Sequence, residues 1–323
     1  MSKHTILVTG GAGFIGSHVV DAYIQKGHSV VVVDDLSSGN LDYVHKDAIF
    51  YELDIRSPQL SDVFAAHTPS VVSHHAAQID VRKSVDDPLY DADVNIRGSV
   101  NLLEMCVAHG VKKFIFASTG GAIYGSPESM PASEQCPPKP ESPYGTSKLC
   151  VEQYVRLYGR IHKLSYTILR YPNVYGPRQS PHGEAGVCAI LAGAMLSGTT
   201  PVLYGQGEAF RDYVFVSDIA AANVQALRKG TDETMNLGSA KPVTVKQLFT
   251  HIKKMTDFSK KPILKPLRPG EVKGIYITGK HAAAVLGWRP AVSLEDGLTR
   301  TVAFVREQQA AALDAQEMAE TDI

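Results

Sequence analysis

Cysteine is scarce in this chain: Cys106, Cys136, Cys150 and Cys188 are the only four among 323 residues. None forms a CxxC pair, so their spacing supports neither a zinc site nor a disulfide framework. Reduced, mostly structural thiols in a cytoplasmic protein are expected, and no metal. Excess charge of either sign is also missing. Lys and Arg total 32 against 33 Asp and Glu, a formal net charge of -1. There is no global field to attract nucleic acid or an anionic membrane, and any anion site must be built locally. No window approaches the roughly 20 apolar residues of a membrane span. The opening Met1-Ser2-Lys3-His4 leads into a strand without the apolar stretch of a signal peptide. No internal repeat is present.

What the chain does have is alternation. Short β-rich runs are predicted at Thr5–Thr9, Ser29–Val33, Ile49–Leu53, Val71–His74, Lys113–Ser118 and Ser165–Arg170. Continuous apolar strands of this kind are buried on both faces, as in parallel sheets. Helical stretches are predicted between them at Phe14–Lys26, Gln59–His67, Pro88–His109 and Tyr144–Tyr158. The pattern predicts an α/β fold, a doubly wound parallel sheet of the Rossmann type. After Tyr171, Pro and Gly punctuate shorter elements. We therefore expect a Rossmann domain over residues 1–171, with some later segments returning to it. A smaller substrate-binding domain is expected over 172–308, and a tail over 309–323.

Thr9-Gly10-Gly11-Ala12-Gly13-Phe14-Ile15-Gly16 follows the first strand and opens the first helix. Gly10, Gly13 and Gly16 permit a tight turn and close approach of backbone N–H groups to a pyrophosphate. The helix N-terminus, starting at Phe14 and Ile15, favours its charge. An acidic residue, Asp34, ends the next strand at about the expected distance of ~20 residues. It would bind the adenosine ribose hydroxyls and repel a 2′-phosphate, which favours NAD over NADP. Asp54 and Ile55, after the third strand, are candidates to meet the adenine.

Tyr144 and Lys148 stand at i and i+4 and so share a helix face. A free Tyr, with a pKa near 10, is a poor base at neutral pH. A neighbouring ammonium and an oxidised nicotinamide both stabilise its phenolate. Tyr144 could then accept a proton from a substrate hydroxyl as hydride leaves the same carbon.

TGGAGFIG followed by YxxxK resembles the extended short-chain dehydrogenase/reductases, and within them the NAD-dependent epimerase/dehydratase family. Further stretches carry the resemblance: His75-Ala76-Ala77-Gln78, Asp93-Val94-Asn95-Ile96-Arg97-Gly98, Arg170-Tyr171-Pro172-Asn173-Val174-Tyr175-Gly176-Pro177-Arg178, Arg211-Asp212-Tyr213-Val214, Arg268-Pro269-Gly270-Glu271 and Leu286-Gly287-Trp288. It spans nearly the whole chain, from about residue 5 to 306.

The resemblance implies roles. His75, Ala76, Ala77 and Gln78 would lie where the cofactor crosses the sheet, with Tyr171 nearby. Asn95 would kink its helix and support Lys148. Arg211 and Arg268 would clamp a diphosphate, Glu271 would meet the nucleotide ribose, and Asn173 would bind substrate. Trp288 is expected in the core. The implied substrate is a nucleotide sugar, a UDP-sugar first of all. A homodimer is also implied, built on Pro88–His109 and Tyr144–Tyr158.

The turn Ala117–Gly125 bears on the reaction. Related 4,6-dehydratases carry Thr-Asp-Glu before a Val-Tyr-Gly, and related decarboxylases a Glu two residues before the Tyr. Here Gly120, Gly121 and Ala122 offer no titratable side chain for elimination. That implies reversible oxidation alone, hence a 4-epimerase passing through a 4-keto sugar. Many such enzymes have Ser or Thr where this chain has Gly120. Thr119, with Ser118 beside it, is the nearest hydroxyl and is expected to take that place. Ile275 falls where the family makes room for an N-acetyl group. Two alternatives stand beside epimerisation: a nucleotide-sugar reductase or dehydrogenase with net NAD(H) turnover, and a non-catalytic NAD-binding regulator.

Overall fold

A computed structural model describes residues 3–181, 186–266 and 274–321. At its centre lies a seven-stranded parallel sheet. Its first six strands are β1 (Thr5–Thr9), β2 (Ser29–Asp34), β3 (Ile49–Glu52), β4 (Val71–His74), β5 (Lys113–Thr119) and β6 (Ser165–Tyr171). The spatial order is β3-β2-β1-β4-β5-β6, with Glu233–Asn236 added at the β6 edge. A late segment thus returns to the first sheet, pairing Met235 with Leu169.

Side chains alternate across these strands. Ile6, Val8, Val30 and Val32 pack on one face with helices Phe14–Gln25 and Val216–Ala226. Leu7, Val31, Val33 and Phe116 pack on the other with helices Leu60–His67, Gly98–Ala108 and Pro143–His162. Both faces are covered, which explains the uninterrupted apolar runs. Between β1 and β4 the chain's winding reverses, and the crevice at the strands' carboxyl ends there is the ligand site of doubly wound sheets.

The stretch expected as one helix over Pro88–His109 is instead three pieces. A helix at Pro88–Ala92 passes through a π-helical turn at Asp93–Arg97 into Gly98–Ala108. The irregularity falls at Asn95, and such π-turns gather at functional sites.

The later residues build a small sheet in which Phe210–Phe215 is flanked by Asn173–Tyr175, Pro242–Thr244 and Gly274–Ile275. Helices Val187–Leu196, Val245–Met255 and Leu294–Thr321 share a separate core with it. The region expected as a tail from residue 309 continues the helix Leu294–Thr321. Trp288 is buried, its indole N–H donating to the Asp218 carbonyl at 2.7 Å. Among the described residues no helix is long and apolar enough to cross a membrane.

Candidate active site

The glycine turn is held by contacts that exclude side chains. Gly10 has φ +70°, and a Cβ there would sit 2.5 Å from the Ala76 backbone nitrogen. A Cβ on Gly16 would lie 2.0 Å from the Gly10 carbonyl. The loop after β1 is therefore pressed against the loop after β4. Gly13 caps helix Phe14–Gln25 with no side-chain hydrogen bond. The first N–H groups, at Phe14 and Ile15, stay available to an anion.

Asp34 ends β2 and is buried; its two oxygens accept the Ala12 and Leu36 backbone N–H groups, each at 2.9 Å. Burial raises its pKa, and the two N–H donors oppose that. Asp34 thus fixes the glycine loop. Asp54 is committed elsewhere: its carboxylate is bound by Arg56, which also reaches Asp93. Arg56 holds the Asp54 carboxyl below its ordinary range. The Ile55 side chain is buried against Gly98 of the next helix, and its carbonyl accepts the Asn101 amide at 2.7 Å. Both side chains are thus engaged by the fold, Asp54 by Arg56 and Ile55 by the helix at Gly98.

The loop His75–Gln78 is tightly tethered. The Ala76 N–H donates to Thr9 Oγ1 at 3.3 Å, and Ala77 follows in the same loop. The His75 ring stacks on Tyr171 at 6.3 Å between centroids, and its Nδ1 is buried without a partner. Burial pushes the His75 pKa down to about 3, so the ring is neutral. The Tyr171 hydroxyl accepts Asn223 Nδ2 at 2.8 Å, and its ring backs His75. Asn95 clamps the loop through both of its amide atoms. Its Oδ1 accepts the Gln78 N–H at 2.9 Å, and its Nδ2 donates to the Gln78 carbonyl at 3.0 Å. Its side-chain hydrogen bonds go to Gln78 and Asp91, and its carbonyl accepts the Ser99 hydroxyl.

Tyr144 and Lys148 lie in the first turns of Pro143–His162, which begins with Ser142 as N-cap and Pro143 next. Lys148 is buried and donates to the Ala117 carbonyl of β5 at 3.0 Å. Its Nζ lies 5.9 Å from the centroid of the Tyr144 ring. Burial lowers the Lys148 pKa to about 8, partly offset by the Asp91 carboxylate. Burial likewise raises that of Tyr144, and Asp91 adds to the effect. Alone, Tyr144 is therefore a weaker acid than free tyrosine, its phenolate is scarcer at neutral pH, and it needs positive charge close by to ionise.

Gly120, Gly121, Asn173, Asp212, Ile275 and Ile277 line a narrow cleft at the turn after β5, and the same turn meets the catalytic helix: a Cβ on Gly145 would lie 2.8 Å from the Ala122 carbonyl. Thr119 is half-buried, and its Oγ1 accepts the Ala122 N–H at 3.2 Å. A Cβ on Gly121 would lie 3.8 Å from that oxygen and 3.6 Å from Asn173 Oδ1. Both groups therefore flank Gly121. Ser118 does not face the cleft. It is buried and donates to Glu152 at 2.7 Å, and Glu152 also pairs with Arg170 at 2.6 Å. The expectation that Ser118 shares the chemistry is corrected, because strand alternation turns it to the opposite face from Thr119. Gly120 has a physical cause: a Cβ there would lie 2.3 Å from Ile277 Cδ1. Ile277 fills the space a Ser or Thr would use.

Arg211 lies on the strand Phe210–Phe215 in register with Ile275, its Nη1 donating to the Phe210 carbonyl at 2.8 Å. Arg268 and Glu271 lie outside the described residues. Two buried carboxylates were missed by the sequence reading. Asp212 accepts N–H groups from Ser239 and Ile277 at 3.0 and 3.3 Å. Asp91 accepts Asn95, Gln78 and Ser147. A signal for Asp91 existed, since an Asp four residues before a helical Asn shares its face.

Comparison with known proteins agrees with this geometry. The family model described as NAD dependent epimerase/dehydratase family matches residues 6–238. A UDP-glucose 4-epimerase of Mycolicibacterium smegmatis is 41% identical, the match covering 94% of this chain and 98% of the relative. The crystal structure of a UDP-glucose 4-epimerase from Thermotoga maritima with UDP-glucose superposes with a TM-score of 0.93 at 48% identity, covering 94% of this chain and 99% of that one. A UDP-N-acetylglucosamine 4-epimerase from Methanobrevibacter ruminantium, in complex with UDP-N-acetylmuramic acid, superposes at 0.90 with 32% identity, covering 95% and 100%. With the glycine turn, the Tyr144–Lys148 pair and the doubly wound sheet on one crevice, the chain belongs to the NAD-dependent epimerase/dehydratase family.

Proposed function

We propose that this protein is a nucleotide-sugar 4-epimerase that interconverts UDP-glucose and UDP-galactose with a retained NAD. The observation that carries this reading is the turn Thr119–Ala122, which packs against Gly145, next to Tyr144. The turn Thr119–Ala122 supplies a hydroxyl and no acid, so a sugar there can be oxidised and reduced but not dehydrated by a residue of that turn. The residues around the crevice fit the cofactor: uncapped N–H groups at Phe14 and Ile15, a cradle at Gly10 and Gly16 that Cβ atoms would fill, and Asp34 for the ribose. When bound, NAD supplies a reversible hydride acceptor.

In this reading Tyr144 takes the proton of the sugar 4-hydroxyl and later returns it. Lys148 stabilises the phenolate through its ammonium, which the Ala117 carbonyl orients. Thr119 and Asn173 hold the sugar, and Arg211 and Arg268 hold the diphosphate with Glu271 beside the ribose. The 4-keto sugar turns over about its diphosphate anchor and presents its other face. Ile275 is buried at the cleft wall; being smaller than a tyrosine, it leaves room for an N-acetyl group, and UDP-N-acetylglucosamine is a second expected substrate. Residues 1–171 serve mainly the cofactor and 172–308 mainly the substrate.

The protein acts in the cytoplasm as a homodimer in this reading. Support for the dimer is apolar exposure at the helices around Pro88–Ala108 and Pro143–His162: Leu89 is 82% exposed, with Val85 and Ile161 beyond half. Its four free cysteines suit a reducing compartment.

The test is incubation with UDP-glucose, UDP-galactose and UDP-N-acetylglucosamine, with sugar identification and absorbance at about 340 nm, the nicotinamide band. Epimer formation with flat absorbance is expected. Stoichiometric NADH instead of epimer would replace this reading with net redox chemistry. Tyr144→Phe should lower kcat by about 10²–10⁴; near-full turnover would sink the assignment.

A further inference from the structure

Asp91 is fully buried in the body of the protein. A carboxylate is costly to bury unless its lone pairs are occupied. Here they are. Oδ1 accepts Asn95 Nδ2 and Gln78 Nε2, both at 3.0 Å, and Oδ2 accepts the Ser147 hydroxyl at 2.6 Å. The partners come from three different elements. Gln78 belongs to the loop after β4, Asn95 to the π-turn that clamps that loop, and Ser147 to helix Pro143–His162 directly before Lys148 and three residues after Tyr144.

We propose that Asp91 is a positioning residue: its carboxylate is the joint that holds Tyr144 and Lys148 in register with the loop His75–Gln78. This rests on the reading that Tyr144 and Lys148 serve hydride transfer. No other side chain makes this connection among the described hydrogen bonds.

Charge adds a second consequence. The groups facing Lys148 are Tyr144 on its own helix, Asp91 from Pro88–Ala92, His74 and His75 from the end of β4, and the Ala117 carbonyl of β5. Burial drives both histidines towards neutrality. Asp91 is thus the anion of the set, and its charge favours the Lys148 ammonium against burial.

The test compares Asp91→Asn, which keeps the shape and removes the charge, with Ser147→Ala, which removes one tether and keeps the charge. kcat and KM are measured with UDP-galactose, and the Lys148 side chain is titrated by NMR in cofactor-free protein. Asp91→Asn should lower kcat about tenfold or more with KM changed by less than about threefold. Its Lys148 titration should move down from about 8 by about one pH unit. Ser147→Ala should lower kcat with the titration in place. A folded Asp91→Asn with wild-type kcat, or one whose Lys148 titrates unmoved, overturns the proposal. Should Asp91→Asn not fold, Ser147→Ala decides: a fall of about fivefold or more in kcat at constant KM supports the joint, and wild-type kcat overturns it. Failure of the epimerase reading is seen separately, as wild-type protein that converts no UDP-sugar, while the NMR titration still reports on Asp91.

Discussion

Gly120 offers a sharp test of why this site lacks a hydroxyl where related enzymes carry one. A Cβ added at Gly120 would lie 2.3 Å from Ile277 Cδ1, more than an ångström inside ordinary contact, whereas the Tyr171 and Arg170 carbonyls would stand at 3.4 and 3.6 Å. The obstruction is therefore one methyl group. Ile277 cannot yield freely, because it is 1% exposed and packed with Ile123, Tyr124, Ala132 and Ile275. Inserting a methyl into such a core costs about 1–3 kcal/mol. Ile277→Val deletes Cδ1 and alone costs about 0.5–1.5 kcal/mol. If the methyl is the cause, the two substitutions compensate. The double variant Gly120→Ala/Ile277→Val should be more stable than the sum of the single losses by about 1 kcal/mol or more. Urea denaturation of wild type, both single variants and the double variant measures this, read as midpoints at constant slope. Gly120→Ser/Ile277→Val would then restore a hydroxyl to the cleft, and its kcat should equal or exceed that of Ile277→Val. Additive losses, or a Gly120→Ala variant as stable as wild type, would refute the argument that Ile277 dictates the glycine.

Other outcomes follow from the buried ionisable groups. Lys148 must be charged to assist Tyr144 and is held near 8 by burial. Its ammonium is lost as pH rises through that value, so kcat should fall on the alkaline side, and Lys148→Arg should remove this limb from the pH–rate profile. Asp212 is pushed up to about 6 by burial, above its unfolded value near 4. The folded state then binds the proton more tightly, so this group favours folding below about pH 4 and loses that contribution as pH rises through 6. Wild type should lose stability relative to Asp212→Asn over that window in urea titrations. Glu152→Ala leaves Arg170, 3% exposed, without its anion, and should cost about 3–5 kcal/mol in thermal or urea unfolding. Leu89→Asp, at the 82% exposed position on Pro88–Ala92, should convert a dimer to monomer by light scattering without unfolding the chain.

Local features of this protein were legible in its sequence where one residue type has one physical reason. Apolar runs such as Ser29–Val33 mark strands because a doubly covered sheet leaves no polar face. Gly10 and Gly16 mark the cofactor turn because a single Cβ would collide with backbone there. Hydroxyls and carboxylates were harder. Ser118 and Thr119 look equivalent in sequence, yet adjacent strand residues point to opposite faces, and one donates to Glu152 while the other accepts the Ala122 N–H. Asp54 stands alone at a strand end in sequence, and only the fold shows Arg56, two residues on, bound to its carboxylate. Asp91 showed only its i+4 neighbour Asn95 in sequence, since Gln78 and Ser147 reach it from separate elements.

The same distinction explains how the site is constructed. Several groups that would touch cofactor or sugar, among them the glycine turn and Thr119, sit at strand ends, where local geometry dictates residue type. Groups that hold those turns together are buried carboxylates: Asp34 on the glycine loop, Asp91 between loop and catalytic helix, and Asp212 between the strands of the cleft. A carboxylate suits the task because it accepts several donors at once and cannot be replaced by an apolar group without stranding them. Removing such a group should therefore cost catalysis and stability together, whereas removing Tyr144 should cost catalysis alone. Paired kcat and unfolding measurements on Asp34→Asn, Asp212→Asn and Tyr144→Phe separate the two classes. A Tyr144→Phe variant that lost as much stability as the carboxylate variants would show that the helix, and not the three carboxylates, holds the site together.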